Sequence, residues 1–245
     1  MYIDAIRLER SRIQAPGAYP FAIPAIRSLD TLTLSRPVTF FMGENGSGKS
    51  TLLEAIAVAC GMNPEGGGRN FAFSTFDSHS SLGGALRIIR GARRPRDAYF
   101  LRAESFYNVA SYIEELDREP ACAPPLKNSY GGSLHERSHG ESFFALLLHR
   151  LYGDGLYLFD EPEAALSPQR QLAFLCRLHE LVGQRSQFVI ATHSPILSAY
   201  PDSTIYRFSE QGIEEIGYQE TDSYQLTRRF VNDYPGFVHR LLDTQ

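Results

Sequence analysis

Lysine is almost missing from this chain. Only Lys49 and Lys127 occur among 24 Lys+Arg residues, so nearly every basic side chain is an arginine. That skew is compositional rather than mechanistic, but it makes Lys49 stand out. Cysteine is scarce as well. Cys60, Cys122 and Cys176 are odd in number and far apart, which excludes a disulfide framework and a zinc pattern and leaves each as a small buried hydrophobe. No stretch approaches roughly 18 uninterrupted apolar residues, so no transmembrane helix and no membrane insertion are expected. Met1-Tyr2-Ile3-Asp4 lacks the basic region and apolar run of a secretory signal, and the cytoplasm is the expected compartment. A net charge of -4 excludes a uniformly basic nucleic-acid binder while leaving room for a local basic patch.

What is present is ordinary globular composition, 43% hydrophobic and 21% charged, in a chain long enough to bury a sizeable core. Tyr2 to Leu8 alternates apolar and polar residues, as a strand does. Val38 to Met42 is a short β-prone run. A glycine-rich turn follows, then good helix formers from Thr51 to Cys60, with Gly61 placed to cap their end. Asn63 to Ser81 reads as irregular, Glu104 to Leu116 as helical, and Pro120 to Gly132 as a linker or flexible loop. Phe143, Phe144, Leu147, Leu148 and Leu151 recur at helical spacing in Glu141 to Tyr152. Leu156 to Phe159 and Gln187 to Thr192 read as buried strands with a helix, Ser167 to Val182, between them. Thr204 to Phe208 and Ile213 to Ile216, joined at Gln211-Gly212, predict a closing hairpin. Strands alternating with helices indicate an α/β fold with a largely parallel central sheet.

Gly43-Glu44-Asn45-Gly46-Ser47-Gly48-Lys49-Ser50 fits G-x-x-x-x-G-K-[ST] in full. The glycines let the backbone curl into a nest whose N–H groups, with the start of the following helix, point at phosphates. Lys49 would then reach the β- and γ-phosphates of a nucleotide, and the Ser50 hydroxyl would ligate Mg²⁺. Thr51 belongs to the same phosphate-binding segment. The four apolar residues Leu156 to Phe159 place Asp160-Glu161 at the carboxyl end of a buried strand, where open α/β sheets bind ligands. Such a pair suits Asp160 to hold Mg²⁺, directly or through water, and Glu161 to act as general base. His193 ends the next apolar strand, positioned to sense a γ-phosphate or orient water. Ser138-His139-Gly140-Glu141-Ser142 precedes a helix and reads either as an N-cap or as a second anion-binding helix start. Arg87, Arg90, Arg93, Arg94 and Arg96 form a dense basic cluster. It is either a solvated face with ion pairs or a contact for a nucleic-acid backbone or acidic partner.

Taken together, these segments resemble the ATP-binding-cassette (ABC) ATPases, over about residues 36 to 198. Gly43 to Ser50 is similar to their Walker A, Leu156 to Glu161 to Walker B with its catalytic glutamate, and Glu163 to Ser167 to the D-loop. Arg137 to Glu141 is similar to the signature motif and His193 to the switch histidine. The signature departs from Leu-Ser-Gly-Gly-Gln, with His139 in place of a glycine and Glu141 in place of the glutamine. That places the resemblance nearer the non-transporter branch: chromosome-maintenance, recombination-repair and overcoming-lysogenisation-defect ATPases, and small bacterial AAA/ABC-like ATPases. No Q-loop glutamine is evident. Arg102 and Glu104 stand nearest its place, with Glu104 a candidate for Mg²⁺ or its water. Tyr19, or else Phe21, is the candidate aromatic for adenine.

The resemblance implies a P-loop fold of ABC type, with an antiparallel N-terminal β portion and a small helical lobe carrying the signature. It implies a single domain over 1–245, its core lobe at 1–85 and 153–245 and its signature lobe at 86–152. It also implies Mg²⁺ as cofactor, ATP as substrate, and a head-to-tail homodimer on ATP binding. In that dimer Ser138, His139, Gly140 and Glu141 complete the partner's site. DNA, RNA or a nuclease or effector protein is the expected partner in a repair or defence setting. The other readings are the ATP-binding subunit of a membrane transporter and a nucleotide switch with negligible turnover. Only about 90 residues separate Lys49 from Ser138, too few for a long coiled-coil arm.

Overall fold

The computed structural model describes residues 1–68, 81–103, 106–118, 125–133, 135 and 139–243. Glu104, Cys122, Arg137 and Ser138 lie outside them, as does most of the 63–81 stretch. The strands are β1 (Ile3–Leu8), β2 (Thr31–Thr33), β3 (Val38–Gly43), β4 (Gly67–Gly68), β5 (Leu86–Arg90), β6 (Asp97–Arg102), β7 (Gly155–Asp160), β8 (Gln187–Ala191), β9 (Thr204–Ser209) and β10 (Gly212–Ile216). The helices are α1 (Pro24–Ser28), α2 (Lys49–Ala59), α3 (Leu82–Ala85), α4 (Phe106–Arg118), α5 (His139–His149), α6 (Pro168–Gly183), α7 (Asp222–Asn232) and α8 (Tyr234–Leu242).

Among the described residues the strands form two sheets, β10-β9-β3-β8-β7-β6-β4 and β2-β1-β5. From β9 to β6 the larger sheet is parallel, with antiparallel β10 and β4 at its edges. The smaller sheet is antiparallel throughout. Gln187, the first residue of β8, joins the two sheets. Its Oε1 accepts from the Tyr2 and Ile3 N–H groups, and its Nε2 donates to the Ile3 carbonyl.

The parallel strands are covered on both faces, which is why they read as continuous apolar runs rather than alternating ones. Phe41, Phe100, Leu156, Leu158 and Val189 pack toward α2 and the smaller sheet. Phe40, Tyr99, Leu101, Tyr157, Phe159, Phe188 and Ile190 pack toward α4, α5 and α6. α6 starts where the Ser167 side chain accepts from Arg170 N–H and Pro168 takes the first turn, and it buries Gln171, Phe174, Leu178 and Leu181. That three-to-four spacing is the core-facing stripe of an amphipathic helix.

Several expectations shift. α5 turns Leu146 into the core and leaves Leu148 47% exposed, because the buried stripe runs through Phe143, Leu146 and Leu147. The 125–132 part of the expected linker is packed. Leu126 and Lys127 N–H groups donate to Asp117, and Tyr130 is buried. Cys60 is buried as expected, whereas Cys176 is exposed on α6. Within 86–152, β5 and β6 belong to the sheets, and helix begins at Phe106. The chain continues past β10 into α7 and α8, which bury no side chain fully and expose Leu226, Phe230, Val231, Leu241 and Leu242.

Candidate nucleotide-binding site

Strand register brings the predicted residues to one rim. Phe41, Ala191, Asp160 and Arg102 form a single row across β3, β8, β7 and β6. The residues just beyond that row (Gly43, His193 and Glu161) therefore emerge side by side at the carboxyl edge of the parallel sheet. This is the edge at which open α/β folds bind ligands.

The loop after β3 depends on glycine. Gly43 has φ +143, and a Cβ there would lie 2.3 Å from the Phe208 carbonyl oxygen. Gly48, at φ +100, precedes α2 in the left-handed region and would bring a Cβ to 3.0 Å from Ile23. A side chain at either position would distort the loop. Lys49 follows at the first turn of α2 and is 3% exposed. A buried ammonium needs partners. Its Nζ donates to the carbonyls of Gly43 and Glu44, each at 2.8 Å. Burial lowers its pKa, opposed by the nearby charges of Glu161, Asp160 and Glu163. Asn45, Gly46 and Ser47 line an open cavity of about 460 Å³ beside the loop.

The Ser50 hydroxyl donates to Asp160 Oδ1 at 2.8 Å. These oxygens, a hydroxyl and a carboxylate, are the hard donors that Mg²⁺ prefers. Among the described residues no group of three or more His, Cys, Asp and Glu is arranged for a metal ion. An ion at Ser50 and Asp160 would thus take its remaining ligands from phosphate and water, as Mg²⁺ commonly does.

Glu161 sits at φ +50, ψ +51, a costly conformation for a non-glycine residue and one that clusters at functional sites. His193 Nε2 lies 3.7 Å from Glu161 Oε1. The His193 N–H donates to Glu163 Oε1 at 2.6 Å. Its imidazole pKa is lowered, first by burial and then by Lys49, against the opposing pull of Glu161 and Glu163. Among the described residues His193 Nε2 and Glu163 Oε2 are buried without a hydrogen-bond partner.

Of the two adenine candidates, Phe21 is buried in the core. Tyr19 is 71% exposed, and its hydroxyl is 2.9 Å from Thr51 Oγ1 on α2. The start of α5 lies elsewhere. A Cβ on Gly140 would meet the Ala165 carbonyl at 2.8 Å, and Glu141 is 3.7 Å from Arg170. Gly140 and Glu141 thus pack on the turn after β7 and on α6. His139 is the first residue of α5.

Sequence reasoning missed Glu54, and it named Arg102 only as one of two residues nearest the place of the Q-loop glutamine. Glu54 is four residues beyond Ser50 on α2 and so shares its face. A second, larger cavity of about 840 Å³ lies at the opposite, amino edge of the sheet, bordered by Arg96, Arg150 and Arg185. It is remote from this chemistry.

Two family models match the chain. One, described as "AAA domain", covers residues 22–119. The other, "AAA domain, putative AbiEii toxin, Type IV TA system", covers 134–199. The chain is 28% identical over 209 residues to a protein of Albidiferax ferrireducens named "Phosphonates import ATP-binding protein PhnC 2", covering 76% of this chain and 74% of that one. Among solved structures it is similar to cbiO1 from Clostridium perfringens, described as part of the ABC transporter complex cbiONQ. There the TM-score is 0.50 at 17% identity, covering 99% of this chain and 100% of that one, a likeness of fold. A phosphate-type loop and a strand-end carboxylate share one sheet rim in a chain that two AAA-domain models match in succession, over 22–119 and 134–199, and this is the arrangement of a P-loop ATPase, whose reaction is ATP hydrolysis.

Proposed function

We propose that the chain binds ATP with Mg²⁺ at the Gly43–Thr51 segment and hydrolyses it within a head-to-tail homodimer whose opening and closing follow the nucleotide. The observation that carries this reading is the 2.8 Å contact between Ser50 and Asp160 beside a buried Lys49. The loop N–H groups of residues 43–50 cradle the phosphates, and Lys49 exchanges its two carbonyl partners for phosphate oxygens. Ser50 and Asp160 hold the metal, with Glu104 a further candidate. Bound there, Mg²⁺ would neutralise charge on the β- and γ-phosphates. Glu161 takes the proton of the attacking water, and His193 orients that water or contacts the γ-phosphate. Tyr19 stacks on adenine, supported by its exposure beside Thr51.

Ser138, His139, Gly140 and Glu141 act on the partner's nucleotide. The support is that α5 begins beside the 162–165 turn of its own chain rather than at its own phosphate loop. The two subunits then close on ATP as the shared charge draws them together. Glu161→Gln tests this. Hydrolysis should fall by about 10²–10⁴-fold, and size-exclusion chromatography in ATP should give a dimer. A monomer under those conditions would sink the clamp.

The work done is read as nucleic-acid or defence related. Arg87, Arg90, Arg93, Arg94 and Arg96 are all exposed. Among the described residues only Arg87 of the five has an ion pair, with Glu9 at 3.7 Å. Arg7 stands directly opposite Arg87 across β1 and β5, a like-charge pairing that an anionic partner would relieve. A second reading, the ATP-binding subunit of a transporter, is favoured by the phosphonate-import relative. Co-purification with a polytopic membrane protein would select it, and stimulation of hydrolysis by DNA or RNA would select the first.

A further inference from the structure

Arg102 ends β6 in register with Asp160, on the neighbouring strand. Its Nη1 donates to Glu54 Oε2 at 2.8 Å, and its Nε lies 3.5 Å from Asp160 Oδ2. The other Asp160 oxygen accepts from Ser50. One carboxylate thus has a cation beside one oxygen, at ion-pair rather than hydrogen-bond distance, and the Ser50 hydroxyl bonded to the other. The group is secluded, with side-chain exposures of 6% for Asp160, 15% for Glu54 and 27% for Arg102. Charges so placed interact more strongly than they would in water. Glu54 and Asp160 flank the guanidinium. With it removed, two carboxylates would face each other across the space it leaves, an arrangement that attracts a divalent cation without any nucleotide.

We infer that Arg102 is a positioning residue and a resident counter-cation. It turns Asp160 so that Oδ1 meets Ser50, and it keeps a divalent ion off the Asp160–Glu54 pair until the phosphates of ATP add their own negative charge. The ion then enters as its complex with nucleotide, not before it. This rests on the assignment of Ser50 and Asp160 to the metal.

The test uses Mn²⁺ as the probe, counted by electron paramagnetic resonance on nucleotide-free full-length protein. Wild type and Arg102→Lys should bind Mn²⁺ weakly. Arg102→Gln, which keeps hydrogen-bonding ends but loses the charge, should bind it at least tenfold more tightly, and Arg102→Met likewise. Adding Asp160→Asn to Arg102→Gln should abolish the gain. Arg102→Gln also splits the kinetics, reaching half-maximal ATPase rate at lower Mg²⁺ while kcat falls, because Asp160 is no longer held. Unchanged nucleotide-free Mn²⁺ affinity in Arg102→Gln overturns the inference. If Arg102→Met does not fold, Arg102→Gln and Arg102→Lys decide between the outcomes. Wild-type turnover that persists undiminished in excess chelator would instead remove the metal assignment itself, and with it this role for Arg102.

Discussion

His193 shows how single groups are tuned at the sheet rim. It stands between a buried cation, Lys49, and two carboxylates, Glu161 and Glu163. Burial and Lys49 prevail, so the imidazole pKa is lowered and the ring is neutral at physiological pH. The folded state therefore resists taking a proton that the unfolded chain accepts near pH 6.5, and stability contributed here is lost as pH falls through that range. If the neutral ring serves hydrolysis, the rate should be level through neutrality. It should drop only below the ordinary imidazole range of about 6.5. His193→Gln should lower kcat and erase that acidic limb. A pH–rate profile checks both, and a limb centred above the ordinary value counts against the role. Gly43, Lys49, Ser50, Asp160, Glu161 and His193 were each legible in sequence, because local spacing alone puts them at loop or strand ends. The pairing of Arg102 with Glu54 and Asp160 was not, because they meet only through strand register and a helix face.

The strands and helices that carry these groups are read from their apolar pattern, and the reading holds where both faces are covered. β7 is buried along its whole length. Phe159 packs against Tyr157, Phe174 and Phe188, directly before Asp160. Phe159→Ala should destabilise the fold by about 3–5 kcal/mol through lost burial and the cavity left behind. Denaturant unfolding measures this, and a cost under about 1 kcal/mol would mean that the site relaxes around the gap. Pattern fails where an element is short or one-sided. Leu146 and Leu148 are equally apolar, and only packing of α5 against α6 and the 126–130 turn decides which turns inward. The turn at 126–130 looks like a linker in sequence because Asp117, which accepts from its first N–H groups, lies on α4, and Tyr130 is buried only by other elements. α7 and α8 are amphipathic, yet their apolar residues stay largely exposed, so the partner that a core provides elsewhere was not there to be inferred.

Across the molecule, charge is distributed unevenly. The chain is net acidic, but its exposed arginines gather on β5 and on the turn that leads to β6, near the Arg96–Arg185 cavity at the amino edge. If this face meets a nucleic-acid backbone, replacing Arg93, Arg94 and Arg96 by Ala should weaken binding of a short duplex at low salt. It should also flatten the log–log salt dependence by up to about 0.9 per lost phosphate contact. Fluorescence anisotropy at several salt concentrations reads both. Equal affinity and equal slope would assign the cluster to a solvated surface.

The chain's own order determined the phosphate loop, the acidic strand end, the histidine one strand later and the α/β class, because each is a matter of neighbours within a few residues. The tertiary structure alone decided that β8 lies between β3 and β7, that Ser50 reaches Asp160, and that Arg102 stands beside both Asp160 and Glu54. It also decided that Tyr19 is exposed while Phe21 is buried. Those relations join residues up to 150 positions apart, as where Val38 pairs with Phe188. They depend on which strands pair and in what register, and that is set by how the two apolar faces of the sheet are covered.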